Sequence, residues 1–267
     1  MSELESAVFV FLLLLAGTAA GVFVRPLLPE EHKAQETVKL VQLVVGMLVT
    51  FAALVLGLLT ASAKTVFDSA DNDMRVYASA LIELDDTLRQ YGSDADPTRL
   101  ILRTYTAAAI ASTWPKEPPP PGNFYPKVQA PQRASDHIDS RILGSMLETA
   151  QRQARELQPI DAFHQRLATR ALDQFNRLIE QRWKLVEEAR GTISTPFNRI
   201  LDFWLLIIFL CFGLIAPRNA LALVVITLGA VSIASAVFVI LDLDAPFTGW
   251  IVVPSQPMRD ALAYLNR

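Results

Sequence analysis

The chain has 267 residues, of which 52% are hydrophobic and 19% are charged, and its formal net charge is −3. So high an apolar share is unusual for a soluble protein of this length and indicates a membrane protein. The negative charge, and the lack of a basic stripe interleaved with aromatic residues, argue against a protein that binds nucleic acid. Cys211 is the single cysteine, which excludes an intrachain disulfide.

Four apolar stretches are long enough to cross a bilayer as helices. A span needs about 20 largely uncharged residues to cross a hydrocarbon core of about 30 Å. The sequence offers 7–24, 40–63, 200–216 and 220–241. The first follows an acidic leader, MSELES, instead of the basic leader of a secretory signal, so we expect it to remain in the mature chain.

The spans are predicted to form two hairpins around a large polar insert. We divide the chain into a first transmembrane hairpin (7–63), a helical insert (64–199), a second hairpin (200–241) and a C-terminal tail (242–267). An even number of spans places both termini and the insert on one side of the membrane. Lys and Arg residues near the span ends favour the cytoplasm for that side by only five to four.

The insert is predicted to be wholly helical. Tyr77, Leu81, Leu84, Leu88 and Tyr91 recur at helical spacing, which predicts a helix that continues the second span and ends at Gly92.

Further helices are predicted for 96–113, 134–157 and 159–190. The last of these is expected to make apolar contacts through Phe163, Leu167, Phe175, Leu178 and Val186. Between 115 and 131, seven of seventeen residues are proline, which indicates a semi-rigid connector. A docking motif for an aromatic-lined groove is the alternative interpretation.

No common catalytic motif occurs: HExxH, GxSxG, a P-loop, GxGxxG and paired CxxC are all missing. Asp136, His137 and Asp139, or Asp161 with His164, could touch a metal, but polar residues on a solvated helix face need no ligand. We therefore predict that the protein is not an enzyme and that these residues hold no metal.

The second span carries a small and polar face along its whole length. Steps of three and four residues place its members on one side of the helix: Gln42, Gly46, Thr50, Ala53, Gly57, Thr60 and Lys64. Such a face could be a tight packing seam, because small residues let helices approach closely in lipid. It could equally line a water-filled pore between copies of the helix. Both interpretations stay open on the residues alone.

Other spans carry shorter pairs of small residues four positions apart. These are Gly17 with Gly21 in the first span, and Ala230 with Ala234 and Ser232 with Ala236 in the fourth. We interpret them as helix-packing contacts.

The segment LDLDAPFTGW follows the fourth span directly. Carboxylates are costly in hydrocarbon, so the span is expected to end where Asp242 and Asp244 begin. Pro246 prevents the helix from continuing, Gly249 permits a turn, and Trp250 suits the membrane interface. The two aspartates could pair with Lys64 or Arg199 or hold a cation; calcium normally wants six to eight oxygen ligands, which favours the pairing.

The tail beyond Pro257 is predicted to form a short helix that docks on the insert. Met258, Ala261, Leu262 and Leu265 lie towards one side of that helix.

Three stretches carry a resemblance to a known family: LGLLTASAKTVFD from Leu56, ELDDTLRQYG from Glu83, and FGLIAPRN from Phe212 leading through the fourth span to LDLDAPFTGWI from Leu241. They resemble the bestrophin-like family of bacterial membrane proteins. The resemblance covers nearly the whole chain. Bestrophins themselves are pentameric ion channels in which the second span lines the pore and an acidic segment after the fourth span binds calcium. This sequence has no continuous acidic run there, and Phe51 is the only phenylalanine of its second span.

The resemblance implies an all-α fold with four transmembrane helices in two hairpins and a large cytoplasmic helical insert. It implies a homo-oligomer, with the pentamer as the expected form, that conducts inorganic ions across the bacterial inner membrane. A non-conducting membrane scaffold or sensor, whose cytoplasmic helices bind a partner or relay a signal, is the alternative. No cofactor is expected, with calcium at Asp242 and Asp244 as the exception to test.

Overall fold

The computed structural model describes residues 3–29, 35–122, 124–126, 141–189, 191, 195–217 and 219–267, and side chains are described for all of these except 195–198. Within this part of the chain the protein is all-helical and contains no β-strand. The helices are α1 (Glu3–Val24), α2 (Gln35–Tyr91), α3 (Asp96–Thr113), α4 (Arg141–Glu156), α5 (Ala162–Glu188), α6 (Thr195–Ile215), α7 (Ala220–Leu243) and α8 (Gln256–Leu265).

The chain divides into two compact units. One comprises Met1–Thr65 and Thr192–Asp244, and the other comprises Val66–Gly191 and Ala245–Arg267. We call them the apolar unit and the polar unit. The boundary falls within α2, which is one continuous helix of 57 residues.

In the apolar unit, α1 packs against α6 and α7. The contact with α6 depends on glycine. A Cβ atom added to Gly21 would lie 2.2 Å from the carbonyl oxygen of Leu210, and one added to Gly213 would lie 2.1 Å from that of Thr18. Any larger residue would therefore separate the two backbones, so the prediction that Gly17 and Gly21 pack against another helix is confirmed.

The small residues of α7 differ from one another. Ala230 and Ala234 are buried, as a packing contact requires. Ser232 is exposed, so the second predicted pair makes no such contact with the residues that the structure describes. Two small residues four positions apart are therefore not enough to identify the buried side of a span.

Three helical stretches of the described chain are long and apolar enough to cross a membrane: Glu3–Leu27, α2 and α7. The predicted third span lies in α6, which carries the apolar run 200–215. The presence of apolar membrane-length helices is thus observed, and the count of four spans stays a prediction.

The polar unit is built around the second part of α2. The predicted stripe of Tyr77, Leu81, Leu84, Leu88 and Tyr91 is buried throughout. Its helix ends where predicted, because Gly92 takes a φ of 107°, a conformation that favours glycine.

The other helices of the polar unit contribute their apolar sides to the same core. The predicted contacts of α5 are confirmed for Leu167, Phe175, Leu178 and Val186, which are buried. The prediction for Phe163 is wrong, since half of this side chain is exposed. Asp161 caps the helix and accepts hydrogen bonds from the backbone N–H groups of Phe163 and His164, so the first turn of α5 lies at the edge of the core.

The tail prediction is confirmed. Met258, Ala261, Leu262 and Leu265 of α8 are buried in the core of the polar unit. A second anchor lies just before α8, where Ser255 donates a hydrogen bond to the carboxylate of Glu117. Residues 127–140, which include the predicted start of the fourth helix and part of the proline-rich connector, lie outside the described residues.

A buried carboxylate ties α2 to α3. Asp85 is 1% exposed and accepts hydrogen bonds from Arg89 and Arg99, each at 2.9 Å. The bond to Asp85 is the main reason that the pKa of Arg99 is raised. The stretch ELDDTLRQYG therefore has a structural role that its helical spacing alone did not reveal.

Candidate pore-lining face and post-span segment

The small, polar face of α2 is not covered by any described part of its own chain. All seven of its members are exposed: Gln42, Gly46, Thr50, Ala53, Gly57, Thr60 and Lys64. A Cβ atom added to Gly46 or Gly57 would meet no described atom within 4 Å. These glycines thus differ from Gly21 and Gly213, which are pressed against a neighbouring helix.

The apolar part of α2 has three distinct faces. One face is buried against the chain through Val45, Ala52, Leu59 and Ala63. A second face is bulky, apolar and exposed, and it carries Leu43, Met47, Phe51, Leu54 and Leu58. At 3.6 residues per turn, the small polar face lies between them, roughly a third of a turn from each. Within the described part of one chain, a single face of the three is therefore buried.

The small polar face is uncharged over a long distance. No Asp, Glu, Lys or Arg occurs between Gln42 and Lys64, a stretch that the structure describes in full. The hydroxyls of Thr50 and Thr60 donate to the carbonyls four residues earlier, at 2.9 and 2.7 Å. With their protons engaged in this way, the two hydroxyls present oxygen lone pairs at the surface. This surface could border water or a small ion without the cost of desolvating a charge.

The acidic residues after the fourth predicted span lie at the end of α7. Asp242 is part of the last turn and is fully buried, and Asp244 is the C-cap residue. The helix thus ends two residues later than predicted. Its end agrees with the prediction in other respects, because Pro246 lies two residues beyond the C-cap Asp244 and Gly249 turns with a φ of 89°.

No described group of three or more His, Cys, Asp or Glu residues could hold a metal ion. Asp242 and Asp244 supply two carboxylates, whereas calcium takes six to eight oxygens. The described residues therefore fit a calcium site poorly. Asp136, His137 and Asp139 lie outside the described residues.

The pair Asp161 and His164 has a structural role. Besides capping α5, the Asp161 carboxylate lies 2.8 Å from Nδ1 of His164. Hydrogen bonds from His164 are the main cause of the lowered pKa of Asp161. An aspartate used in this way needs no metal.

The sequence profile of the Bestrophin-like domain matches residues 12–258. The chain belongs to this bestrophin-like family. No match was found among curated proteins.

Solved structures show the same bestrophin-like fold. A bacterial bestrophin homologue from Klebsiella pneumoniae, crystallised as a point variant, is 16% identical with a TM-score of 0.64, covering 97% of both chains. Two further variants of that homologue give TM-scores of 0.63 and 0.62 at 15% identity. The first of these covers 97% of both chains, and the second covers 100% of this chain and 99% of the other. At this level of identity the likeness establishes the fold of the bestrophin-like chain alone.

Sequence reasoning missed two features of this bestrophin-like chain. Gly213 was not singled out, although the stretch FGLIAPRN carries it at the centre of the contact with α1. The hydrogen bonds from Trp114 and Lys116 to the post-span segment were also missed, because no local pattern connects residues so far apart. Gly213 could have been found, because it is a lone glycine in an otherwise bulky span.

Proposed function

We propose that this bestrophin-like protein forms a homo-oligomer in the bacterial inner membrane and conducts inorganic ions passively through a central pore. Copies of α2 surround the pore, with the small polar face towards the axis. The observation that carries the proposal is the exposure of this face along seven positions, with open space at both of its glycines.

The three faces of α2 support this arrangement. A helix that surrounds a pore must contact its own chain, its neighbours or lipid, and the water-filled axis. The buried face contacts the same chain, and the bulky apolar face suits contact with neighbouring copies or lipid. The remaining face has small side chains and hydroxyl oxygens, which is typical of a narrow passage that ions traverse without strong binding.

Membership in the bestrophin-like family adds support, since bestrophins are channels with a pore-lining second span. We propose that the membrane span ends at the two carboxylates of α7 and that these carboxylates pair with basic groups. The proposed conduction assigns no role to calcium, since Asp242 and Asp244 supply two carboxylates and calcium takes six to eight oxygen ligands.

The proposal is tested by ion flux from liposomes that contain the purified oligomer. Wild-type protein should release trapped ions faster than protein-free vesicles. Gly46→Leu and Gly57→Leu should block the flux while the oligomer stays intact, because each puts a bulky group on the small polar face. Gly229→Leu is the matched control, since Gly229 lies in α7 and also has open space around it.

Two other outcomes would reject the proposal. If Gly46→Leu and Gly57→Leu both dissociate the oligomer, the face is a packing seam between copies. If the wild-type oligomer releases no ions under any condition tested, the alternative of a scaffold or sensor applies.

A further inference from the structure

A cavity of about 270 Å³ lies in the apolar unit, at the end where α1 and α6 stop and α7 starts. Its walls include Arg25 together with apolar side chains of α1 and α7. Both of these helices are long and apolar enough to cross a membrane. A basic group therefore lies beside the cavity at the end of two predicted spans, where the headgroup region of a bilayer begins.

The end of α6 fixes the position of Arg25. This residue follows the last residue of α1 and, with Pro26, starts a short 3-10 turn. Its Nη1 atom donates a hydrogen bond to the carbonyl of Ala216, which follows the last residue of α6. The bond satisfies one of the backbone carbonyls that a helix end leaves without a partner. It also holds the guanidinium group at the wall of the cavity.

Most of this guanidinium group remains available to a ligand. An arginine side chain has five N–H donors and no acceptor. Among the described residues, Ala216 is the one acceptor for Arg25. The Nε and Nη2 atoms have no such partner and neither is a buried atom, so they are open to solvent. No Asp or Glu occurs among the described residues that line the cavity, so nothing there neutralises the charge of Arg25.

The rest of the cavity is apolar and extends along the spans. Val22 lies one turn before Arg25, and Leu223 and Ile226 lie on α7. Val22 and Leu223 are exposed. Ile226 lies six residues beyond the start of α7, which is about 9 Å along the helix axis. The apolar walls thus run from the level of the helix ends into the part of the helices that crosses the membrane.

A ligand for this cavity must combine two properties. A free inorganic anion would pair with Arg25 but leave the apolar walls uncovered. An alkyl chain alone would cover the walls but offer no acceptor to the guanidinium group. An anionic headgroup joined to an alkyl chain satisfies both. Phosphate is the best such headgroup, because two N–H donors of a guanidinium group can meet two of its oxygens.

The volume of the cavity admits such a headgroup. An apolar cavity of about 150 Å³ in another protein holds benzene. At about 270 Å³, this cavity has room for a phosphodiester group and the first carbons of an attached chain. The first turn of α7 also lines the cavity, and the partial positive charge at the start of a helix adds to the attraction for an anion.

We propose that this cavity binds an anionic glycerophospholipid of the surrounding bilayer. The phosphodiester group meets Arg25, and an acyl chain lies along Val22, Leu223 and Ile226. A bound lipid then contacts both α1 and α7 and strengthens their association. The site contains no residue of α2, so its test does not depend on whether the protein conducts ions.

The test measures binding of dioctanoylphosphatidylglycerol to the full-length protein in detergent, by native mass spectrometry. We expect a saturable adduct of one lipid per chain. Arg25→Gln should weaken binding about tenfold or more, the loss expected for a hydrogen bond to a charged group. Lys39→Gln is the matched control, because Lys39 is exposed near the start of α2 and does not line the cavity. It removes the same charge and should change the affinity less than about threefold.

Arg25→Lys keeps the charge and a donor for Ala216, so it should bind the lipid more tightly than Arg25→Gln does. Two further ligands divide the lipid into its parts and need no variant to fold. Glycerol phosphate lacks the chains and dioctanoylglycerol lacks the phosphate, and each should bind the wild type at least about tenfold more weakly than the intact lipid.

The proposal is overturned if Arg25→Gln binds the lipid as tightly as the wild type, or if Lys39→Gln weakens binding equally. Glycerol phosphate binding as tightly as the lipid would make the site one for a free phosphate compound. Dioctanoylglycerol binding as tightly would show that Arg25 takes no part in recognition.

Discussion

At the scale of single residues, the chain contains both exposed and buried ion pairs. Asp85 is 1% exposed and serves two arginines, whereas Asp71 pairs with Arg75 at 3.1 Å on the surface of the same helix. The two aspartates allow a comparison between a buried carboxylate with two arginine partners and a more exposed carboxylate that pairs with Arg75.

Asp85→Asn is expected to lower the free energy of unfolding of the polar unit by about 2–4 kcal/mol, because it leaves two guanidinium groups without their carboxylate. Asp71→Asn should cost less than about 1 kcal/mol, as is usual for a surface pair. Thermal unfolding of both variants measures the difference. Equal effects would show that Asp85 does not organise the junction of α2 and α3.

Glu188 gives the polar unit a dependence on pH. Burial, followed by a hydrogen bond with Asp73 and the negative charge of that residue, raises the pKa of Glu188 to about 7, while Lys184 acts in the opposite direction. Lys184 itself lies 2.7 Å from Asp73. A carboxyl whose pKa is raised by folding favours the folded state while it is protonated, and this contribution is lost as the pH rises through about 7.

Glu188→Gln should therefore raise the melting temperature at pH 8 by a few degrees and leave it almost unchanged at pH 4. The gain should develop between the usual pKa of glutamate and about 7. Glu180→Gln, at an exposed position of the same helix, controls for the loss of one negative charge. A gain that is equal at both pH values would contradict the assignment.

At the scale of helices, the same residue type has two uses. Gly21 and Gly213 let α1 and α6 approach closely, while Gly46 and Gly57 leave α2 open. Sequence spacing could not separate the two uses, because small residues serve packing and pores alike. A glycine in a packing contact can be told from one on an open face only when the partner helix is known, and that helix is remote in sequence.

Gly21→Ala should destabilise the apolar unit by about 1–3 kcal/mol, since the new methyl group would overlap the backbone of α6. Gly229→Ala should be neutral or stabilising by up to about 1 kcal/mol, because alanine is the better helix former and the site is open. Thermal stability in detergent measures both. A harmless Gly21→Ala would argue against the close contact of α1 and α6.

The helices of the polar unit could be predicted because their signals are local. The stripe from Tyr77 to Tyr91, the stop at Gly92 and the apolar side of α8 each follow from spacing or from one conformationally special residue. Phe163 was misplaced because its spacing fits the stripe, although the cap at Asp161 puts it in the first turn of α5. The cavity beside Arg25 could not be predicted, since its walls combine α1 with helices that are distant in sequence.

At the scale of the whole molecule, the orientation in the membrane is a prediction that rests mainly on the resemblance to the bestrophin-like family, since the charges favour it by only five to four. We propose that the insert is cytoplasmic and that the segment joining α1 to α2 faces the periplasm. Single cysteines at Asp94 and Glu30, in a Cys211→Ser background, should then differ in labelling by an impermeant thiol reagent on intact spheroplasts. The reagent should reach position 30 and not position 94, and the reverse pattern would invert the topology.

The central claim is that the small polar face of α2 lines an ion pathway. Its most direct test is the inhibition of liposome ion flux by a water-soluble thiol reagent in Ala53→Cys and Phe51→Cys oligomers, both lacking Cys211. The two positions lie at nearly the same depth, on the small polar face and on the bulky apolar face. The account predicts that the reagent blocks flux through Ala53→Cys and spares Phe51→Cys. Block of Phe51→Cys alone, or of neither variant in a conducting oligomer, would contradict it.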